Sequence, residues 1–215
     1  MPATIVRADR TGVAELADLL ERGGVAIVPT DTTYGFFGRA TSREAVERVY
    51  EIKSRDRGKP FVLHSSAAEV EQWVDVTPVG RKFIDQVWPA AVSLLLPKKP
   101  SIPDWFTAGL PSVAVMSNTN LVSAQLVAST DFPIFCTTCN YAGEPEYTTA
   151  ADASAFAGDV DMILEGDHIS VMDRPTTIID CTTEPPAAIR ISATPVEELL
   201  SVAPDLLVDL SRRRG

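Results

Sequence analysis

Short segments that are apolar at nearly every position recur along the chain, and segments with helical periodicity separate them. VAIVPT at 25–30, AVSLLLP at 91–97 and FPIFCTT at 132–138 are examples of the apolar segments. A strand with no polar face must be covered on both sides, as in sheets that carry helices on both faces. The alternation therefore predicts an α/β fold with a largely covered sheet.

Helix signals stand between these strands. The segment 11–24 places its apolar residues on one stripe and ends in two glycines, and 41–53 begins with Thr41 and Glu44 at capping-box spacing. The segment 60–64, PFVLH, reads as the strand that follows. Further helices are predicted over 67–73, 78–87, 119–130, 149–156 and after a cap at Thr194, and further strands over 112–117, 160–164, 176–180 and 187–191.

The length and charge of the chain limit the classes of protein to consider. Its 215 residues suit one large domain, which we assign to 1–205, followed by a basic tail over 206–215. No apolar run approaches the roughly 20 residues that span a bilayer. The formal charge of −10 argues against tight nucleic-acid binding, which needs a basic face. The N-terminus lacks the apolar core of a secretory signal, so we expect a cytoplasmic protein.

The cysteines point to neither disulfides nor a metal. There are three of them, and Cys136 and Cys139 form a C-x-x-C. No second C-x-x-C follows, and the two histidines are far away in sequence, so four zinc ligands are hard to assemble. We therefore predict no protein-bound metal site and interpret the pair as small residues at the end of a buried strand.

A basic cluster at 53–59 is unexpected in an acidic chain. Lys53, Arg55, Arg57 and Lys59 fall within seven positions, at a predicted helix end and just before a strand. The negative end of the helix dipole accounts for one cation. A polyphosphate ligand would account for the group, because Arg and Lys are the usual partners of phosphate oxygens. A solvated charge run is the alternative.

Three other segments could bind a ligand. VPTDTTYGFFG at 28–38 delivers hydroxyls and a carboxylate where a strand ends, and CTTCNYAGEP at 136–145 follows another strand. Either could equally be a hydrogen-bonded turn. RPTTIID at 174–180 is followed by Arg190 on an apolar strand, where an arginine either pairs with a buried carboxylate or faces a ligand. No glycine-rich phosphate loop is present in the sequence.

These segments occur in an order that resembles the YrdC/YciO family. The matching stretches are PTDTTYGFFGRAT, AVERVYEIKSRDRGKPFVLH, WPAAVSLLLP, TTCNYAGEP, TTIID and the late Arg190. The resemblance covers residues 12–200 and is most specific from Pro29 to His64. It implies a YrdC-like twisted, partly mixed β-sheet flanked by helices, with a deep, positively charged central cleft.

The resemblance also implies an enzyme. The family's best-known activity is a nucleotidyltransferase reaction in which L-threonine, bicarbonate and ATP give L-threonylcarbamoyl-AMP and pyrophosphate, and the product feeds a tRNA modification. ATP and Mg²⁺ would be required. The partners implied are these small molecules and proteins of tRNA modification or biosynthesis, with no membrane.

The family's K-x-R…S-x-N signature resembles Lys53, Arg55, Thr138 and Asn140, with threonine in place of the usual serine. Lys53 and Arg55 would be the catalytic residues. The residues implied for ATP binding are Lys53, Arg55, Lys59, Thr138, Asn140, Thr177 and Arg190. Those implied for the amino acid are Thr32, Tyr34 and His64.

The chain also departs from the family pattern. Gly35-Phe36-Phe37 stands where the family has GLG, so Phe37 adds bulk, and Met116 stands where the family has a cleft arginine. The segment 88–93 reads WPAAVS rather than WPGPLT, and the stretch after Arg190 lacks a glycine. These differences leave two other hypotheses open: a divergent carbamoyl-transfer enzyme of specialised metabolism, and a non-catalytic RNA-binding or regulatory protein.

Overall fold

The computed structural model describes residues 2–166 and 174–212. The helices are α1 (Arg10–Glu21), α2 (Arg43–Lys53), α3 (Pro78–Val87), α4 (Leu121–Ala128), α5 (Ala150–Ala153) and α6 (Val196–Leu199). The strands are β1 (Thr4–Arg7), β2 (Val25–Pro29), β3 (Tyr34–Arg39), β4 (Val62–His64), β5 (Val92–Pro97), β6 (Ser112–Met116), β7 (Ile134–Thr138), β8 (Met162–Glu165), β9 (Thr177–Asp180), β10 (Ala187–Arg190) and β11 (Leu207–Val208).

The described strands form one mixed sheet in the order β1-β8-β2-β3-β7-β4-β6-β5-β9-β10-β11. The central strands β3, β7 and β4 pair antiparallel, whereas β4 and β6 pair parallel. Because β2 and β3 form an antiparallel hairpin, the turn between them lies at the same sheet edge as the end of β7. The mixed α/β sheet confirms the predicted fold class.

Hydrophobic clusters cover the two faces of the sheet. Along β2, Val25 and Ile27 belong to one cluster, and Ala26 and Val28 belong to the other. This alternation is expected because successive side chains of a strand point to opposite faces. Residues of α2 and α3 complete the first cluster, and residues of α1 and α4 complete the second. The sheet is therefore covered on both sides, as its apolar strands predict.

Local boundaries differ from the prediction in a few places. The cap of α2 is Ser42 rather than Thr41, and its hydroxyl accepts a hydrogen bond from the Ala45 amide. The cap of α6 is Pro195 rather than Thr194. Instead of a helix over 67–73, only the short 3-10 turn Val70–Gln72 forms.

The segment 206–215, predicted as a tail, is only partly described. Its Leu207–Val208 form strand β11, which pairs with β10 at the edge of the sheet. Arg213 and Arg214 lie outside the described residues. The division at 205 stays a prediction. Across the described ranges, no helix combines the length and apolarity needed to cross a bilayer.

Candidate active site

A cavity of about 690 Å³ lies where several elements meet at one edge of the sheet. The β2–β3 turn, the end of α2 with the loop after it, and the end of β7 with its following loop supply most of its wall. Its lining consists of Thr30, Thr32, Thr33, Gly35, Lys53, Ser54, Arg55, Asp56, Lys59, Pro60, Phe61, Val62, Met116, Cys136, Thr137, Thr138, Asn140, Ala142, Gly143, Glu144, Glu146, Pro175, Thr176 and Arg190. Segments that are distant in sequence therefore share one site.

The clustered cations of 53–59 take different directions. Lys53, Arg55 and Lys59 line the cavity. Arg57 faces the outside, where its Nη2 lies 2.6 Å from Glu47 Oε2 and its side chain is 58 % exposed. The chain turns after α2 because Ser54 adopts a left-handed conformation, with φ of 49°. Three cations of the cluster thus line the cavity, and the fourth, Arg57, is exposed to solvent.

Arg55 is held at the cavity wall by its own loop. Its Nε donates to the Lys59 carbonyl at 3.0 Å, and its Nη2 donates to the Pro60 carbonyl at 3.5 Å. The guanidinium carbon lies 5.5 Å from the centre of the Phe61 ring. A guanidinium has more N–H donors than these two carbonyls use, so Arg55 can still donate to an anion in the cavity.

Lys53 is buried and fully engaged. Its Nζ lies 2.5 Å from the Thr138 carbonyl oxygen, 2.8 Å from the Asn140 carbonyl oxygen and 2.7 Å from Asn140 Oδ1. Burial, and to a lesser extent the charge of Arg55, lowers the pKa of Lys53 to about 7. The signature residues Lys53, Thr138 and Asn140 are therefore partners of one another.

The β2–β3 turn presents hydroxyl groups to the cavity. Thr30 Oγ1 donates to the Thr33 carbonyl at 2.6 Å and lies 3.2 Å from Thr32 Oγ1. Asp31 faces elsewhere: its Oδ2 accepts from the amide of Thr119 at 2.9 Å. Burial raises the pKa of Asp31. Asp31 therefore ties the turn to the segment before α4. Thr32 lines the cavity, and its role in binding an amino acid stays a prediction.

The structure places other predicted site residues away from the cavity lining. Among the described residues that form its wall, Tyr34, His64 and Thr177 are not included. The Oγ1 of Thr177 donates to the Thr194 carbonyl at 2.6 Å and accepts from the Ser192 amide, so it orders the turn after β10. The neighbouring Thr176 lines the cavity instead.

Tyr34 and His64 are core residues in this structure. Tyr34 is 0 % exposed and packs in the cluster on the α2 face of the sheet. His64 Nδ1 lies 3.3 Å from the Met116 carbonyl, and its ring contacts Phe37 edge-on. Burial lowers the pKa of His64 to about 4, which keeps the ring neutral. Their roles in binding an amino acid stay predictions.

Arg190 comes to the cavity from the end of β10. Its Nε donates to the Thr176 carbonyl at 2.9 Å, and its Nη2 lies 3.1 Å from Thr176 Oγ1. It lines the cavity together with Thr176. Arg55, Lys59 and Arg190 therefore bring positive charge from different elements to one cavity.

The two departures at Phe37 and Met116 have different outcomes. Phe37 is fully buried in the cluster on the α1 face, so its bulk lies in the core, and it does not appear in the cavity wall that the described residues form. Met116 lines the cavity, and its sulfur lies 3.7 Å from Cys136 Sγ. Burial raises the pKa of the Cys136 thiol to about 12, so this thiol stays protonated. Of the two positions, only Met116 changes the cavity surface.

Sequence reasoning missed the carboxylates of the cavity. Asp56, Glu144 and Glu146 contribute to its wall. Asp56 lies within the basic cluster 53–59, Glu144 lies within the segment 136–145, and Glu146 follows that segment directly. Their position in GEPE and SRDR was visible, but nothing local indicates which way they face. Within the ranges 2–166 and 174–212, no group of three or more His, Cys, Asp or Glu residues could hold a metal.

Comparison with known proteins decides the family. The profile of the Sua5/YciO/YrdC family, described as telomere recombination, matches residues 18–192. The chain belongs to this family. The resemblance seen in the sequence is therefore confirmed.

Individual family members agree with this assignment. A threonylcarbamoyl-AMP synthase of Pyrococcus abyssi is 28 % identical over 195 residues, which are 89 % of this chain and 57 % of the relative. One from Xanthomonas campestris is 31 % identical over 169 residues, 76 % of this chain and 90 % of the relative. The crystal structure of P. abyssi Sua5 complexed with L-threonine superposes with a TM-score of 0.87 at 26 % identity, covering 97 % of this chain and 62 % of that one. This chain thus spans less than two thirds of the P. abyssi protein.

Proposed function

We propose that this protein is an enzyme that makes L-threonylcarbamoyl-AMP, or a closely related carbamoyl-adenylate, from an amino acid, bicarbonate and ATP, and releases pyrophosphate. The observation that carries the proposal is the convergence of Arg55, Lys59 and Arg190 on one cavity in an acidic chain. Relatives named threonylcarbamoyl-AMP synthase, one of them spanned over 90 % of its length, support the same reaction.

The residues of the cavity suit the charge changes of this reaction. The substrate amine adds to bicarbonate to form a carbamate and water, and a carbamate oxygen then displaces pyrophosphate from the α-phosphorus of ATP. Negative charge accumulates on the phosphates in the second step. Arg55, held at the cavity wall by its hydrogen bonds before the reaction, and Lys59 beside it would stabilise that charge. The threonine hydroxyls of the β2–β3 turn, Thr32 among them, would position the amine substrate.

Mg²⁺ belongs to the substrate in this proposal. The ion would enter as MgATP, and Mg²⁺ is commonly bound through one or two carboxylates together with substrate phosphates. Glu144 and Glu146 line the cavity and are carboxylates that could contact a phosphate-bound ion. Bound Mg²⁺ would neutralise phosphate charge, in addition to what the arginines do.

The test is a measurement of pyrophosphate release. Purified protein is incubated with MgATP, labelled bicarbonate and each amino acid in turn, and the nucleotide product is identified by mass spectrometry. We expect pyrophosphate release that depends on both bicarbonate and one amino acid, with L-threonine as the first candidate. An absence of ATP consumption with every amine would refute the proposal.

A second candidate function rests on Met116. Because this uncharged side chain lies at the cavity wall, the amine or carbamoyl substrate could differ from L-threonine. A carbamoyl-transfer enzyme of specialised metabolism would use carbamoyl phosphate in place of bicarbonate. Turnover with carbamoyl phosphate and not with bicarbonate would favour this candidate over the first.

The protein that accepts the product would depend on which carbamoyl-adenylate is made. Threonylcarbamoyl-AMP would be passed to a tRNA-modifying protein, whereas a different carbamoyl-adenylate would be passed to a biosynthetic enzyme. Both settings place the protein in the cytoplasm. Deletion of the gene followed by analysis of modified tRNA nucleosides would separate them.

A further inference from the structure

The loop after β7, residues 139–147, forms one wall of the cavity. Asn140, Ala142, Gly143, Glu144 and Glu146 all belong to it and all line the cavity. Gly143 has a φ of 91°, a conformation that favours glycine. The position of this loop therefore decides the shape of the site, and what holds it there matters for the reaction.

Lys53 holds this loop and the end of β7 through two groups, its side-chain ammonium and its backbone carbonyl. Its ammonium group donates to the Thr138 carbonyl, the Asn140 carbonyl and Asn140 Oδ1, at 2.5 to 2.8 Å. Its own carbonyl accepts the amide of Ala142 at 3.0 Å. An ammonium has three N–H donors, and each already has an oxygen acceptor. A phosphate oxygen would have to displace one of them.

Asn140 extends the same network into the loop. Its Oδ1 also accepts from Thr138 Oγ1 at 2.8 Å, and its Nδ2 donates to the Glu144 carbonyl at 2.7 Å. The far end of the loop is closed by the Tyr147 amide, which donates to the Cys139 carbonyl at 2.9 Å. The loop is thus fixed by the buried ammonium on one side and by its own backbone on the other.

We propose that Lys53 is a positioning residue that fixes the 139–147 loop as a wall of the cavity and does not contact the nucleotide. This inference rests on the proposed function for its kinetic consequences only. Arg55, two positions later, would make the phosphate contact instead, because its guanidinium retains unused donors. Of the two cations in the K-x-R signature, Lys53 would thus have a structural role and Arg55 a ligand-binding role.

The test compares Lys53→Met with Lys53→Arg. Methionine keeps an unbranched apolar stem and removes the ammonium, whereas arginine keeps the positive charge but replaces a compact ammonium by a planar fork. Hydrogen exchange of the amides at 142–147, apart from Pro145, is measured in both variants and compared with the amides of strands β2 and β5, which Lys53 does not contact through its ammonium group. We expect about tenfold faster exchange in the loop in both variants and unchanged exchange in the strands.

The kinetic readout separates positioning from a loss of folded protein. In Lys53→Met, we expect the KM for ATP to rise about tenfold with kcat changed less than about threefold, because saturating nucleotide restores the wall. A loss of folded protein would lower kcat at constant KM. Unchanged loop exchange in Lys53→Met, or an ATP affinity that Lys53→Arg preserves and Lys53→Met abolishes, would overturn the proposal.

Two further comparisons keep the test decisive. If both Lys53 variants fail to fold, Asn140→Ala opens the same network from the loop side, and unchanged exchange at 142–147 there would refute the inference. If wild-type protein releases no pyrophosphate with any amine, the exchange measurement still stands, so failure of the proposed function and failure of the positioning role are distinguishable.

Discussion

Replacing Arg55 by methionine should weaken ATP binding strongly, whereas replacing Arg57 should not. The two arginines lie two positions apart in the same loop. Arg55 lines the cavity, and Arg57 pairs with Glu47 outside it. Methionine removes the charge from each and keeps an apolar stem, so the two variants form a matched pair.

The magnitude follows from the contacts that Arg55 has available. Hydrogen bonds to charged groups contribute about 1.5–3 kcal/mol each. One such contact to a phosphate corresponds to roughly a 10- to 150-fold loss of affinity on a scale where about 1.4 kcal/mol is tenfold. For Arg57→Met we expect a change of less than about twofold, because a charge exposed to water is screened.

The assay is calorimetric titration of each variant with a non-hydrolysable ATP analogue and, separately, with adenosine. Removal of a phosphate contact should weaken binding of the triphosphate and leave the affinity for adenosine nearly unchanged. Urea unfolding of both variants controls for stability. Equal losses in the two variants, or an equal loss for adenosine and for the triphosphate, would refute the assignment of Arg55 to the phosphates.

Three other predictions concern stability and the loop. The pKa of His64 is about 4 in the folded protein and 6.5 in the unfolded chain, so the unfolded chain is protonated first as the pH falls. The free energy of unfolding should therefore decrease by about 2 kcal/mol between pH 7 and pH 5. Urea unfolding of wild type and His64→Gln at both pH values checks this; an equal pH dependence would contradict it. Gly38→Ala should destabilise by about 1–3 kcal/mol, because its Cβ would lie 2.5 Å from Phe135 Cε1. Gly158→Ala, with nothing within 4 Å of the added atom, is the control in the same unfolding assay, and similar losses in both would argue against the clash. Finally, Lys53→Met should speed exchange of the 142–147 amides, as described above.

Most of the sheet could be predicted from sequence because its strands are apolar and short. The hairpin strand β3 could not. Its Gly35 and Gly38 resemble loop residues, yet Gly38 leaves room for the Phe135 ring and Gly35 for the Thr137 carbonyl. These two neighbours come from β7, and Gly35 also leaves room for the Phe37 ring of its own strand, so packing in the assembled sheet explains the glycines.

The sequence indicated which segments contribute residues to the cavity but not which way the individual side chains face. The cluster 53–59 supplies three of the residues that line the cavity, but the left-handed Ser54 and the acidic partner of Arg57 decide which cations face inward. Likewise, the family resemblance implied Thr177 as a site residue, but hydrogen bonds to the 192–194 turn occupy Thr177, and the neighbouring Thr176 lines the cavity instead. Such choices depend on segments far apart in the chain.

The central claim is that this cavity binds the triphosphate of ATP through Arg55, Lys59 and Arg190. A crystal structure with a non-hydrolysable MgATP analogue tests it most directly. We expect phosphate oxygens within hydrogen-bond distance of the Arg55 guanidinium, with Lys53 still bonded to Thr138 and Asn140. An analogue bound elsewhere, or phosphates that contact none of these three cations, would contradict it.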